Sequence, residues 1–394
     1  MVGFADADSL YALSGQSIMF VISDDWFFAS HFLALGRAAR DAGMRVAVCT
    51  RVSDAGSNLH NEGFSLIPLA ISRDGIHPAT EALALWRLRR GYRRHRPTLL
   101  HHITPKLVIY GSLAARGMST AVINTISGLG SAFVDPSGGL VPGVMQRLFR
   151  LALRRNRTWT QFENPDDREL FVRLGLVELG ATSLIRGAGV DTERFRPGPP
   201  EAGPPLVVLP ARMLADKGVL EFCRASEILA KRGVDVRMVL LGRSDPGNPS
   251  GLPPQQLTRL CDETGVQWWG HTEDMPTALR RAQIVALPSY REGLPKALLE
   301  AAATGLPLIA TDVPGCREVC LHGVTGLLIE PRSPLALARA IEELVYDPNR
   351  RARLGAAARA LVQREFAIGR TVRATLSLYA NVLRDDPTVP GASP

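Results

Sequence analysis

Gln283-Ile284-Val285-Ala286-Leu287-Pro288-Ser289-Tyr290-Arg291-Glu292-Gly293-Leu294-Pro295-Lys296-Ala297-Leu298-Leu299-Glu300 is the stretch whose reading decides the fold. Residues 283–288 form a short apolar run closed by proline, the pattern of a buried strand. The second half predicts a helix, because Pro295 suits a first turn, where no backbone N–H is needed. The amides around Gly293, Leu294 and Lys296 are then expected to face outward at the positive end of that helix, a cradle for a diphosphate. Glu292 precedes the helix and Glu300 lies about five residues into it, roughly 7–8 Å along the axis. The two acids are therefore not a pair sharing one proton. They are placed to grip hydroxyls on opposite sides of a bound diphosphate, although either one alone reads as an exposed acid.

The same strand-then-helix grammar repeats on both sides of this stretch. Upstream, apolar runs at 17–23, 45–50, 64–69, 99–102, 120–125 and 159–162 predict strands, with helices at 31–42, 78–94 and 143–157 between them. A Gly/Pro-dense segment at 186–205 suits an interdomain linker. Beyond it, strands are expected at 206–210, 236–242, 283–287, 308–310 and 326–329, and a last helix at 368–383. Such alternation is the signature of doubly wound parallel sheets. At 394 residues the chain is too long for one ordinary core. The expected organisation is 1–185, linker 186–205, 206–367, a C-terminal helix 368–385 and a tail 386–394.

Ligands bind at the carboxyl ends of strands in such sheets, which singles out Arg212 and Lys217 in the loop after the strand at 206–210. Positive charge there neutralises a diphosphate and stabilises it as a leaving group, unless the two residues are ordinary surface charges. Gly242, ending the next strand, either lets a nucleotide approach or serves as a simple turn glycine. Trp269 reads as a packed core residue or a surface for a base, and His271 is a tempting general base.

Composition sets further bounds. No apolar stretch reaches the roughly 18 residues needed to span a bilayer. The acids at Asp6 and Asp8 stand where a signal peptide carries basic residues. Five scattered cysteines point to a reducing compartment. Asp6-Ala7-Asp8 precedes the first strand, Asp24-Asp25 lacks a second ligand cluster, and Cys316 and Cys320 have no His or Cys partners at zinc-site spacing, so no metal site is expected. Positive charge is concentrated between 82 and 162, where thirteen Lys/Arg face a single acid, an excess larger than the net +8 of the whole chain. An anionic surface is the expected partner of that region, and nucleic acid is not, since no recognition motif accompanies the charge.

The opening stretch, continued by Ala301-Ala302-Ala303-Thr304-Gly305-Leu306-Pro307 and by Pro314-Gly315-Cys316-Arg317-Glu318 and Gly323-Val324-Thr325-Gly326, resembles the C-terminal domain of a retaining GT-B glycosyltransferase of family four. The resemblance implies two Rossmann-like domains facing a cleft. It implies that Glu300 holds the nucleotide ribose, that Glu292 contacts the transferred sugar, and that the loop of Gly293, Leu294, Pro295 and Lys296 serves phosphates and sugar through its free amides. Arg212 and Lys217 match the family's Arg-x-x-x-x-Lys loop. The turn with His271 and Thr272 lines the base pocket in the family, which puts His271 beside the nucleotide instead of the acceptor. Asp25-Trp26-Phe27-Phe28, His101-His102-Ile103-Thr104-Pro105-Lys106, Asn124-Thr125-Ile126-Ser127-Gly128-Leu129-Gly130 and Phe162-Glu163-Asn164-Pro165 are similar to bacterial enzymes that extend capsule, O-antigen or protein-linked glycans on a polyprenyl carrier.

One departure stands out. Where several members carry a histidine after the strand at 120–125, this chain offers Ser127, Gly128 and Gly130. His31, His101 and His102 are the remaining acceptor-side candidates, or else structural histidines. The expectation is a cytoplasmic enzyme, peripheral on the inner face of the membrane, moving a sugar from a nucleotide diphosphate donor, a UDP-sugar first, to a polyprenyl-linked saccharide, with no metal cofactor. A sugar-nucleotide epimerase of the same fold and a non-catalytic binding module are the alternatives. A nicotinamide dehydrogenase is disfavoured, as no Gly-x-Gly-x-x-Gly follows a strand into a helix.

Overall fold

The computed structural model describes residues 11–53, 55–69, 78–128, 140–199 and 201–384. Asp6-Ala7-Asp8, Gly130 and the tail from Asp385 lie outside the described residues. The chain divides into two compact units, Met1–Ala188 with Gly369–Pro394, and Gly189–Ile368.

The first unit is built on β1 (Ser17–Asp24), β2 (Arg45–Arg51), β3 (Ser65–Pro68), β4 (Leu99–Ile103), β5 (Ala121–Ile126), β6 (Thr158–Phe162) and β7 (Thr182–Leu184). They form one sheet in the order β3-β2-β1-β4-β5-β6-β7, every neighbouring pair parallel. Its helices are α1 (Asp25–His31), α2 (Leu33–Asp41), α3 (Ala55–Asn61), α4 (Pro78–His95), α5 (Pro105–Ala114), α6 (Leu140–Leu153) and α7 (Pro165–Arg173). All of β4 and β5 is buried, as expected of central parallel strands covered on both faces.

The second unit carries β8 (Leu206–Pro210), β9 (Arg237–Leu241), β10 (Gln267–Trp268), β11 (Ile284–Leu287), β12 (Leu308–Thr311) and β13 (Gly326–Ile329). Their order is β10-β9-β8-β11-β12-β13, again parallel throughout. Helices α8 (Val219–Lys231), α9 (Pro254–Thr264), α10 (Met275–Arg281), α11 (Lys296–Ala303), α12 (Cys316–Val319), α13 (Pro334–Tyr346) and α14 (Pro348–Glu365) cover its faces. The last helix, α15 (Ile368–Arg384), buries Leu376, Tyr379, Ala380 and Leu383 in the same core as Phe20 and Phe28 of the first unit. The fold is that of GT-B proteins: two doubly wound parallel α/β sheets.

Two local readings change. The single helix expected at 31–42 is two, because Phe32 leaves helical geometry at φ −120°, ψ 0° and separates α1 from α2. The helix expected at 143–157 is α6 and ends at Leu153; Arg157 sits at φ +57° in the turn before β6. Its apolar stripe is spent on the core: Phe149 and Ala152 are buried, and Met145 and Leu148 pack against the same cluster as Phe162 and Phe171.

Candidate functional site

In the second unit the strand order reverses between β8 and β11, which are direct neighbours. That switch point leaves a crevice at the carboxyl ends of the two strands, where ligands of open α/β sheets bind. The loop after β8 runs through a short 3₁₀ turn, Ala215–Lys217, into Gly218, the left-handed N-cap of α8. The loop after β11 runs from Pro288 to Pro295, the N-cap of α11. The two loops are tied together: the Tyr290 amide donates to Asp216 O at 2.9 Å, and the Tyr290 hydroxyl donates to Glu221 Oε1 at 2.7 Å.

Between these loops sits Glu292. Its Oε1 accepts from Lys217 Nζ at 2.5 Å and from Ser289 Oγ at 2.7 Å, and only 11 % of its side chain is exposed. Arg212 Nη1 donates to Asp245 Oδ2 at 2.7 Å. Both cations of the loop are thus held by carboxylates, and any anion arriving there would exchange one set of charge-assisted bonds for another. The Glu292 and Gly293 backbone is backed by Gly315. At φ +76°, a β-carbon there would stand 2.2 Å from Gly293 O and 2.8 Å from Glu292 O, so the close approach requires glycine.

Helix α11 starts beside this loop, and the first turn of a helix leaves amides without intrahelical acceptors, aimed at whatever lies beyond its N-terminus. Leu294 is packed against the core cluster of the second unit. Pro295 stands one place earlier than the sequence suggested, as cap instead of first helical residue. Lys296 and Glu300 are one turn apart on α11, with Nζ 3.4 Å from Oε1. Burial pushes the Glu300 carboxyl above its ordinary value, against the lowering effect of Lys296 and Arg194. A nearly buried carboxylate with one long ion pair keeps acceptor capacity for a ligand hydroxyl.

Gly242 joins β9 to the next loop. Its amide donates to Gly270 O at 2.7 Å, and its carbonyl accepts from Trp268 Nε1 at 2.8 Å. A β-carbon at Gly242 would meet Ala211 O at 1.7 Å, so its glycine is demanded by close packing against the loop that carries Arg212. His271 and Thr272 follow Gly270; His271 is exposed, and Thr272 Oγ1 accepts from the Asp274 amide at 3.1 Å. Trp269 is half-buried, with the Arg281 guanidinium 4.1 Å from its ring centroid.

The acceptor-side candidates fare differently. Ser127 and Gly128 follow β5 and are half-buried. His31 ends α1, half-buried, with Nδ1 2.7 Å from Ser30 Oγ. His101 and His102 are corrected to core residues: both are fully buried in β4. His101 Nδ1 lies 2.6 Å from the Tyr379 hydroxyl and Nε2 lies 2.7 Å from Thr125 Oγ1. His102 Nδ1 lies 2.9 Å from Asn124 Oδ1, and the Tyr92 hydroxyl lies 3.1 Å from its Nε2. Burial pushes them down to about 3 and about 4, so both are neutral and all four ring nitrogens are occupied. Of the two readings the sequence offered for them, the structural one is what the fold shows.

Among the described residues no group of three His, Cys, Asp or Glu is placed to hold a metal ion. Asp24 instead pairs with Arg51, and Asp25 accepts from the Ser53 hydroxyl at 2.6 Å and the Trp26 amide at 2.7 Å. The five cysteines are free and buried. Sequence reading missed Asp245, Ser289 and Tyr290, which hold Arg212, Glu292 and the paired loops; for Asp245 the only signal was its place just after β9.

Residues 204–347 match the family described as Glycosyl transferases group 1, and residues 17–162 match the one described as Glycosyl transferase 4-like. The chain belongs to this glycosyltransferase family. Among its relatives, an N,N'-diacetylbacillosaminyl-diphospho-undecaprenol alpha-1,3-N-acetylgalactosaminyltransferase of Campylobacter jejuni is 26 % identical over 374 residues, 90 % of this chain and 96 % of that protein. A D-inositol 3-phosphate glycosyltransferase of Xylanimonas cellulosilytica is 31 % identical over 56 % of each chain. The fold is similar to sucrose-phosphate synthase from Thermosynechococcus elongatus, with a TM-score of 0.77 at 20 % identity over 93 % of this chain and 99 % of that one. It is also similar to Anabaena HepE in complex with UDP and glucose, with a TM-score of 0.74 at 18 % identity over 92 % and 99 %.

Proposed function

We propose that this glycosyltransferase moves a sugar, an N-acetylhexosamine or related hexose, from a UDP-sugar to a hydroxyl of a polyprenyl-linked saccharide, with retention of configuration. The observation that carries the reading is the set Arg212, Lys217, Glu292 and Glu300 at the β8 and β11 switch point of the second unit. Arg212 and Lys217 neutralise the diphosphate and stabilise it as it departs, Glu300 accepts from ribose hydroxyls, and Glu292 orients the transferred sugar. The donor preference is supported by the UDP complexes of HepE, and the acceptor by the name of the Campylobacter relative, which acts on a diphospho-undecaprenol-linked sugar.

With the cations supplied by the loop, no divalent ion is needed at the leaving group. Front-face substitution, in which the donor phosphate oxygen helps take the acceptor proton, suits a site whose carboxylates already hold partners. We place the enzyme in the cytoplasm, on the inner face of the membrane. No helix among the described residues is long and apolar enough to cross a bilayer. What supports docking is exposed charge on α4 and α6 together with exposed Trp86, Leu83, Val144 and Leu151. The test is product analysis with labelled UDP-N-acetylhexosamines and UDP-hexoses on membrane extract. Label in a lipid-linked saccharide of the donor's anomeric configuration is expected. Free epimerised nucleotide, or binding without turnover, overturns the reading.

A further inference from the structure

The first unit carries a basic recess at the edge of its sheet opposite the carboxyl ends. Gln16, Thr98, Thr120 and Arg157 each immediately precede a parallel strand, β1, β4, β5 and β6, and with Arg93 and Arg96 they line a cavity of about 640 Å³. An adjoining recess of about 470 Å³ shares Arg157 and adds Arg116, Arg154 and Arg155. The arginines come from three places, the C-terminal ends of α4, α5 and α6.

Some of them are explained by the fold. Helix ends present unpaired carbonyls, and Arg89 donates to Ala114 O and Arg116 O at 3.0 and 2.8 Å. Arg155 Nη2 donates to Met118 O and Thr120 O at 2.6 and 2.9 Å, and Arg157 Nη1 donates to Ser119 O at 2.6 Å. Arg93, Arg96, Arg116 and Arg154 are not accounted for in this way. All four are exposed, and among the described residues none forms an ion pair with a carboxylate. Two residues of the cavity wall, Arg96 at φ +44° and Arg157 at φ +57°, hold the left-handed backbone that favours glycine. Burial first, and then the charges of Arg157 and Arg116, keep the Arg155 guanidinium below its ordinary value. Positive charge is crowded in a concavity whose described lining residues include no carboxylate, and guanidinium forks match phosphate oxygens in pairs.

We propose that this recess is a phosphate-binding site of the first unit, in which Arg93, Arg96 and Arg116 hold a phosphate monoester or diphosphate away from the edge where the acceptor is expected. It rests on the geometry of the first unit alone, not on the transferase reading. The phosphate comes either from a lipid headgroup or from a soluble compound.

Hydrogen exchange on the full chain resolves the site and its source. The probes are inorganic phosphate, and neutral phosphatidylcholine vesicles containing phosphatidic acid or, at matched surface potential, phosphatidylglycerol. Phosphate or phosphatidic acid should slow exchange in residues 92–98 and 116–120, and Arg93→Gln/Arg96→Gln should weaken that response at least tenfold while UDP still binds. Should that variant misfold, Arg116→Gln/Arg154→Gln decides. Protection by phosphatidic acid vesicles but not by phosphate assigns the lipid source, and the reverse assigns the soluble one. Equal protection by both vesicle types without any by phosphate, no protection by any probe, or a variant that responds as wild type, overturns the proposal.

Discussion

Two glutamates eight positions apart are given different work by their surroundings. Glu300 is nearly buried along α11 with one ion pair at 3.4 Å, whereas Glu292 is held by Lys217 and Ser289 between two loops. Glu300→Ala is expected to weaken UDP binding by the worth of a hydrogen bond to a charged group, about 1.5–3 kcal/mol. Glu292→Ala should leave UDP affinity within a factor of about three and lower turnover instead, since its proposed contact is to the sugar being moved. Calorimetric titration of UDP into both variants checks this, and unchanged affinity in the Glu300 variant removes its ribose role. Lys217→Ala should lower the rate by roughly two to three orders of magnitude, the effect of losing one preorganised charge stabiliser, and Arg212→Ala should resemble it. A chelator should have little effect on steady-state turnover. Activity abolished by chelation and restored by magnesium or manganese rules out leaving-group stabilisation by these cations alone.

At the scale of elements, the site depends on backbone placed against backbone. Gly315 stands behind the Glu292 loop, where a β-carbon would meet Gly293 O at 2.2 Å, while Gly323 has a similar φ of +73° with nothing within 4 Å. Gly323→Ala should therefore cost only the left-handed backbone term, about 1–2 kcal/mol, with turnover unchanged. Gly315→Ala adds displacement of the loop, and its turnover should fall at least about tenfold, some 1.4 kcal/mol of barrier. Thermal melts and kcat on the pair separate the two effects, and equal kcat in both variants would show that the loop position is immaterial.

Strands of the sheet behind this loop were legible: 206–210 and 326–329 read from the sequence coincide with β8 and β13, because apolar runs bounded by Pro and Gly leave little choice. The partners of the β4 histidines were not. His101 meets Tyr379, 278 positions away, and His102 meets Tyr92 and Asn124, so the partners that make two histidines into core residues are invisible to any local pattern. The same pairing predicts an acid-sensitive first unit. The folded histidines titrate near 3 and near 4, below the ordinary value of 6.5, so the unfolded chain binds protons first as pH falls. Their stabilisation is complete above about pH 6.5 and is lost below it by up to about 1.4 kcal/mol per histidine per pH unit, until the folded values are reached. Hydrogen exchange corrected for intrinsic rates should show protection in 99–126 falling between pH 7 and 5. Protection there that holds steady would mean that the two rings are not neutral in the fold.

For the whole molecule, charge is the property that no single element explains. Thirteen basic residues and one acid between 82 and 162 outweigh the net charge of the chain, so the rest is net acidic. Only part of this basic region is free to meet a membrane surface. The apolar stripe of α6 belongs to the core, and Arg150 is engaged with Leu174 O and Gly175 O. Arg87, Arg94 and Arg147 remain exposed, and Arg90 lies over the exposed Trp86 ring at 5.3 Å. An amphipathic ring beside basic groups suits a headgroup layer. At roughly 1 kcal/mol per basic residue near an anionic surface, a few such residues give reversible attachment without a spanning helix. Because exposed charges are screened within about 10 Å at 0.1 M salt, attachment should weaken steeply as salt rises. Co-sedimentation with vesicles of graded phosphatidylglycerol content should show binding that grows with anionic fraction and falls with salt. Arg87→Gln/Arg94→Gln/Arg147→Gln should reduce it about a hundredfold if the three contributions add, while UDP affinity stays unchanged. Equal attachment to neutral and anionic vesicles would assign the contact to Trp86 and its apolar neighbours instead of to charge, and no attachment to either would remove the membrane from the account of this basic face.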